Sequence, residues 1–205
     1  AVMAGWAHHE GLAVGLALEN VDTDQLIPAR FMSAPRTQGY GRFLLYDLRH
    51  GEDGSPRPDF TLNAPQAAGA SVLVARRNFG GGSSREAAVY ALVDAGFRAV
   101  VAPSFGDIFA GNAVNNGLLP ARVSDEDAAG LLAAAPAPVR IDLERQTIAL
   151  GERQTGFELD PVWRLKLING WDDIDLTRAH AAEIATYARA RRAARQWLWP
   201  QERRA

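Results

Sequence analysis

The 205-residue sequence predicts an α/β fold with a parallel sheet. Two observations carry this reading. Short apolar runs at residues 71–75 (SVLVA) and 98–102 (RAVVA) are bounded by polar residues, as buried strands are. Each precedes a segment with helix start and stop signals: 83–95, with a Ser start, an early Glu and Gly96 after it, and 104–115, closed by Asn116-Gly117. Strand–helix–strand–helix places helices against the faces of a parallel sheet.

The remaining elements follow in order. Residues 12–18 (LAVGLAL) read as a short apolar strand. Residues 20–28 (NVDTDQLIP) are turn-rich, with Asp22 and Asp24 flanking Thr23. An Asx-capped turn explains that pair better than a metal, because a hard cation needs more carboxylates nearby. Residues 29–54 mix Arg, aromatic and Gly residues without periodicity and read as a mobile connection with one short helix. Residues 54–65 hold three prolines and read as loop or edge. Ser104-x-x-Asp107 resembles a capping box, and residues 118–120 lead outward. Residues 124–135 form a short helix after an acidic start, and 139–150 two β-runs around a polar turn. Residues 177–197 read as one Ala- and Arg-rich helix whose cluster of Arg189, Arg191, Arg192 and Arg195 is a solvated face. Without repeats or low-complexity linkers, the reading is one domain over 1–170 with a helical C-terminal extension over 171–205. His8 and His9 read as exposed terminal residues, and Ala1 to Met3 as a cloning remnant.

Composition narrows the function classes. Lys+Arg 22 against Asp+Glu 24 gives a net charge of −2, which argues against a nucleic-acid partner. No apolar run has the length of a membrane-spanning helix, and no basic-then-apolar leader is present, so no membrane partner is expected. The absence of Cys excludes disulfides, thiolate nucleophiles and Cys-held zinc or iron–sulfur sites within this chain, and fits a reducing, cytoplasmic location.

The chemistry concentrates at residues 80–86. A strand runs into Gly80-Gly81-Gly82, then Ser83-Ser84 at a helix start. Glycines let a ligand approach the backbone, and the free N–H groups and positive end of the helix suit an anion. Arg85 adds a planar fork matched to a carboxylate or phosphate. Dinucleotide, P-loop and serine-elbow patterns all fail here: Arg85 stands where a third Gly belongs, no Gly-Lys-Ser/Thr follows, and no Gly follows Ser83 by two. A serine at this turn serves as helix cap, substrate ligand or base, and these residues alone leave those roles open.

The segment Asn78-Phe79-Gly80-Gly81-Gly82-Ser83-Ser84-Arg85-Glu86 resembles the active-site segment of 3-isopropylmalate dehydratase small subunits, and also the swivelling domain of aconitase. The resemblance extends to 20–28 (NVDTDQLIP), 97–105 (FRAVVAPSF), 116–120 (NGLLP) and 170–174 (GWDDI). It implies a swivelling β/β/α domain and a separate large subunit carrying a [4Fe–4S] cluster. It implies a hydro-lyase that interconverts 2- and 3-isopropylmalate in leucine biosynthesis, or a related enzyme for another substituted malate or citrate analogue. Carried over residue by residue, Ser83 is the base that takes a proton from carbon. Arg85, Ser84 and Gly82 bind the substrate carboxylate, and Asp24 supports them. Arg36, twelve residues after Asp24, matches a second carboxylate-binding arginine, with Arg30 as its rival. Gly81 and Ala87 depart from the family, which places Cys and His there. A non-catalytic anion-binding subunit and a stand-alone enzyme for a phosphorylated ligand are the competing readings.

Overall fold

The computed structural model describes residues 4–199. Strand β1 (His8–Leu16) leads through a turn to the one-turn helix α1 (Thr23–Leu26) and, after three 3₁₀ turns, to α2 (Tyr46–Arg49). Then follow β2 (Val72–Ala75), α3 (Glu86–Asp94), β3 (Ala99–Ala102), α4 (Asp107–Asn115), β4 (Leu119–Arg122) and α5 (Asp125–Ala134). Strands β5 (Ala137–Asp142), β6 (Thr147–Leu150) and β7 (Arg153–Gly156) precede α6 (Pro161–Asn169), α7 (Asp173–Ala179) and α8 (Ala181–Ala194). The chain forms two compact units, Ala1–Trp171 and Asp172–Ala205. The expectation for Ala1 to Met3 lies outside the described residues.

All seven strands join one sheet in the order β4-β3-β2-β1-β5-β6-β7. Strands β1 to β4 run parallel, whereas β5, β6 and β7 continue from β1 as an antiparallel meander. Residues of β2 alternate between two cores. Leu73 and Ala75 pack with Leu16, Val100 and Leu92 on one face, and Val72 and Val74 with Val101, Leu119 and Leu131 on the other. Burial on both faces is why these parallel strands are continuous apolar runs and not alternating ones.

Several expectations are corrected. Helix α3 begins at Glu86 and not Ser83, because Gly82 is left-handed (φ +92°) and Arg85 is the extended N-cap, with no side-chain cap. Ser104 does not cap α4. Gly106 takes that position, and the Ser104 hydroxyl accepts the Asn78 N–H at 2.8 Å. Residues 119–122 form the edge strand β4 instead of leading outward; Pro120 is tolerated because an edge strand has one unpaired side. The stretch 29–54 is anchored by buried Tyr40, Phe43, Leu44 and Leu45. His9 is half-buried on β1, its Nε2 2.8 Å from the Ser71 hydroxyl. Strand β7 and helix α6 had no counterpart in the sequence reading; α6 starts at Pro161 with Asp160 accepting the Val162 and Trp163 N–H groups. Its buried Lys166 donates to Asn115, the last residue of α4, where a cation suits the helix C-terminus.

In the second unit the expected single helix is two. Asp172 caps α7 with a reciprocal Asp175 contact, and His180 separates α7 from α8. The Thr177 hydroxyl donates back to the Asp173 carbonyl at 2.9 Å, a contact that bends helices.

Candidate active site

The site lies beyond the carboxyl ends of the parallel strands, where open α/β sheets place ligands. Pairing between β1 and β2 continues past both strands into the loops. Asn20 N–H donates to Arg77 at 3.0 Å, Gly80 N–H to Val21 at 2.7 Å, and Thr23 N–H to Gly81 at 3.0 Å. On the other side Phe79 N–H donates to Ser104 at 3.0 Å and Gly106 N–H to Phe79 at 2.9 Å. The turn after β2 is thus stitched to the turns after β1 and β3. Asn20 and Asn78, both left-handed at φ +55° and +59°, join side chains at 2.8 Å. Asn tolerates this conformation better than most residues.

The three glycines differ. A Cβ on Gly80 would lie 2.2 Å from the Phe109 ring, at φ +73°. Gly82 has room but sits at φ +92°. Gly81 has ordinary φ, and a Cβ there would meet nothing closer than the Asn78 side chain at 3.3 Å. The Cys that the family places at this position therefore suits the backbone φ, with the Asn78 side chain giving by a few tenths of an ångström.

Beyond Gly82 the chain makes a tight turn in which the Arg85 N–H donates to the Ser83 carbonyl at 2.7 Å. The same carbonyl accepts the buried Thr23 hydroxyl at 3.0 Å. The next residue of α1, Asp24, accepts from the Arg85 guanidinium. Two adjacent residues of one helical turn therefore hold both Ser83 and Arg85. Asn116 donates to Glu86 at 2.8 Å and ties the start of α3 to the end of α4. Burial, with the Glu86 carboxylate adding, pushes the Tyr90 phenol up from its usual pKa.

Ser83, Ser84, Gly82, Arg85 and Asp24 are thus gathered at one surface. Ser83, Ser84 and Gly82 are exposed, and the serine hydroxyls have no partner among the described residues. The N–H groups of Gly81, Gly82, Ser83 and Ser84 also donate to no acceptor among the described residues, whereas those of Gly80 and Arg85 are occupied. The expected anion cradle is narrower than the full glycine run. A cavity of about 430 Å³ lies nearby between Phe105, Pro120, Arg122 and Trp163, but neither Ser83 nor Arg85 lines it.

Arg36 is elsewhere. Its guanidinium binds Asp94 at the far end of α3 and covers the Tyr90 ring at 4.3 Å. Asp94 also accepts the Tyr40 N–H at 2.6 Å, so the 29–44 loop docks on α3. At about 1.5 Å per residue, Asp94 lies about 12 Å along α3 from Glu86. Its rival Arg30 is paired with Asp47, holding that carboxyl below its usual range, and lies over Phe31. Thr23 and Asn116 are contacts that sequence reasoning passed over; their only signal was membership of the NVDTDQLIP and NGLLP segments.

With this geometry in hand, the comparisons with known proteins are specific. Residues 3–126, more than half of the chain, match the aconitase C-terminal domain family. A 3-isopropylmalate dehydratase small subunit from Anaeromyxobacter dehalogenans is 50% identical over 184 residues, covering 89% of this chain and 96% of that protein. One from Anoxybacillus flavithermus is 46% identical over 187 residues, covering 89% and 96%. The chain belongs to the 3-isopropylmalate dehydratase small-subunit family. The fold agrees with a crystal structure of 3-isopropylmalate dehydratase from Methanocaldococcus jannaschii, with TM-score 0.65 and 24% identity over 88% of this chain and 99% of that one. In this small-subunit fold the residues matched by resemblance, other than Arg36, converge on one turn. No helix among the described residues is long and apolar enough to cross a membrane.

Proposed function

We propose that this chain is the small subunit of a 3-isopropylmalate dehydratase, a hydro-lyase that interconverts 2- and 3-isopropylmalate in leucine biosynthesis and works with a large subunit in the cytoplasm. The observation that carries this reading is the Ser83–Arg85 turn. An unpartnered hydroxyl, open N–H groups and a braced guanidinium sit at one turn.

A [4Fe–4S] cluster does not fit this chain, which has no Cys to hold it; we place it on the large subunit, where it supplies the Lewis acid for departure of the hydroxyl. The residues here do the rest. Arg85, held by Asp24, binds a substrate carboxylate, and Ser84 and the Gly82 N–H complete that contact. Ser83 takes the proton from the carbon next to the one whose C–OH bond breaks, and returns it to the carbon that lost the hydroxyl when water adds its hydroxyl to the carbon that lost the proton. A serine oxygen is a poor base in water, so its anionic form depends on the adjacent N–H groups, on Arg85 and on exclusion of solvent. Ser83 is exposed in this chain, so a partner surface must cover it. Arg36 becomes a second carboxylate ligand only after release from Asp94.

Copurification with the large subunit, followed by assay of both isopropylmalates, tests this. The complex is expected to turn them over and the isolated chain is not. A cluster-loaded complex inert toward both isopropylmalates contradicts the reading.

A further inference from the structure

Resting on that reading, we infer that Thr23 is a positioning residue for the base, acting through the Ser83 carbonyl. Thr23 is 2% exposed, and with Lys166 it is one of two polar or charged residues buried among the described residues. Among the described residues its hydroxyl has one partner, the Ser83 carbonyl at 3.0 Å, while its own N–H reaches the Gly81 carbonyl at 3.0 Å. Thr23 thus grips the turn on both sides of Gly82.

That grip matters because of what lies between. Gly82 has no side chain to restrict it, and its φ of +92° is one that glycine leaves readily. Ser83 itself is neither in the helix nor in a strand, since α3 starts only at Glu86. With the Thr23 bond in place, the Ser83 carbonyl has two donors, the Thr23 hydroxyl and the Arg85 N–H. Two donors on one carbonyl fix the plane of the Ser83–Ser84 peptide, and with it the direction in which the Ser83 side chain leaves the backbone. Without Thr23, only the local Arg85 contact remains, and that contact moves with the turn.

Thr23 also sets the two halves of the site against each other. Asp24, the next residue, holds the Arg85 guanidinium. A shift of α1 relative to the turn displaces clamp and base together. Loss of the Thr23 hydroxyl alone frees the base while Asp24 keeps the clamp. The expected signature is therefore a fall in kcat with little change in KM. A purely structural role would instead lower stability and the fraction of assembled complex, with kcat per assembled complex left at the wild-type value.

The test compares Thr23→Val, which keeps the buried volume without the donor, with Thr23→Ser, which keeps the donor. Both are measured as complexes with the large subunit and as isolated chains. Thr23→Val is expected to lose about 10- to 100-fold in kcat, the scale of a misplaced catalytic group, with complex assembly and KM retained. Thr23→Ser is expected to restore most of the rate. In the isolated chain the Ser83 carbonyl carbon resonance is expected to move upfield in Thr23→Val and to stay near wild type in Thr23→Ser. If Thr23→Val does not fold, Thr23→Ala replaces it in both measurements. Full kcat in the donor-less variant overturns the inference, as does an equal loss in both variants. If the wild-type complex turns over neither isopropylmalate, the functional reading fails and the carbonyl resonance alone decides: an unchanged Ser83 resonance overturns the clamp, and a moved one upholds it.

Discussion

Gly80, Gly81 and Gly82 stand side by side in the sequence and do three different things. Gly80 lets the turn pass over Phe109, Gly82 supplies a left-handed backbone, and Gly81 does neither. Substitution separates them. Gly80→Ala puts a Cβ 2.2 Å from a buried ring at positive φ, and is expected to cost about 1–3 kcal/mol by overpacking. Gly81→Cys restores the family residue in a tight contact that the Asn78 side chain relieves by a small shift, and is expected to lie within about 0.5 kcal/mol of wild type. Chemical denaturation of the two variants checks both values; equal losses would show that the triplet acts as one flexible unit. At the same scale, His9 gives the fold a pH dependence. Burial, with Arg98 adding, pushes its imidazole below the usual 6.5. A depressed pKa favours the neutral ring in the folded state, so the unfolded chain binds more protons at low pH. The His9 contribution is therefore present above pH 6.5 and lost as pH falls through and below it. His9→Gln is expected to flatten the fall in melting temperature between about pH 6.5 and 5; an unchanged slope removes His9 from the account.

At the level of elements, legibility followed burial. Strands β2 and β3 are plain in the sequence because both faces are covered, which leaves no room for polar residues. The start of α3 is not, because Ser83-Ser84 after glycines reads as a cap. The left-handed Gly82 and the Arg85-to-Ser83 turn occupy that space instead. The reach of Ser104 into the neighbouring loop is invisible locally, since its partner Asn78 is twenty-six residues away. The site residues Ser83, Ser84, Gly82, Arg85 and Asp24 were legible through their motifs, and they meet. Arg36 was legible only by spacing, and spacing across an irregular loop does not fix a position. Its partner, Asp94, holds the 29–44 loop through both the Arg36 side chain and the Tyr40 N–H. Asp94→Ala leaves that N–H without its acceptor and is expected to cost about 1–3 kcal/mol. Limited proteolysis should then cut within residues 29–44 faster than in wild type. Unchanged cleavage would mean that the buried aromatics, and not Asp94, hold the loop.

For the whole molecule, the central point is incompleteness. The turns beyond the parallel strands gather Ser83, the Arg85 guanidinium and open N–H groups, yet leave Ser83 exposed to water. The absence of Cys leaves the chain without a thiolate cluster ligand of its own. In the function proposed above, both features are those of half of an active site that a second chain completes. The measurement that bears most directly on this is Ser83→Ala in the complex with the large subunit, with assembly and cluster content matched to wild type. If Ser83 is the base, kcat falls by about 10²- to 10⁴-fold, the usual contribution of a positioned base, while the complex still forms. Wild-type turnover by that variant would contradict the role of Ser83 and, with it, the catalytic assignment of the turn.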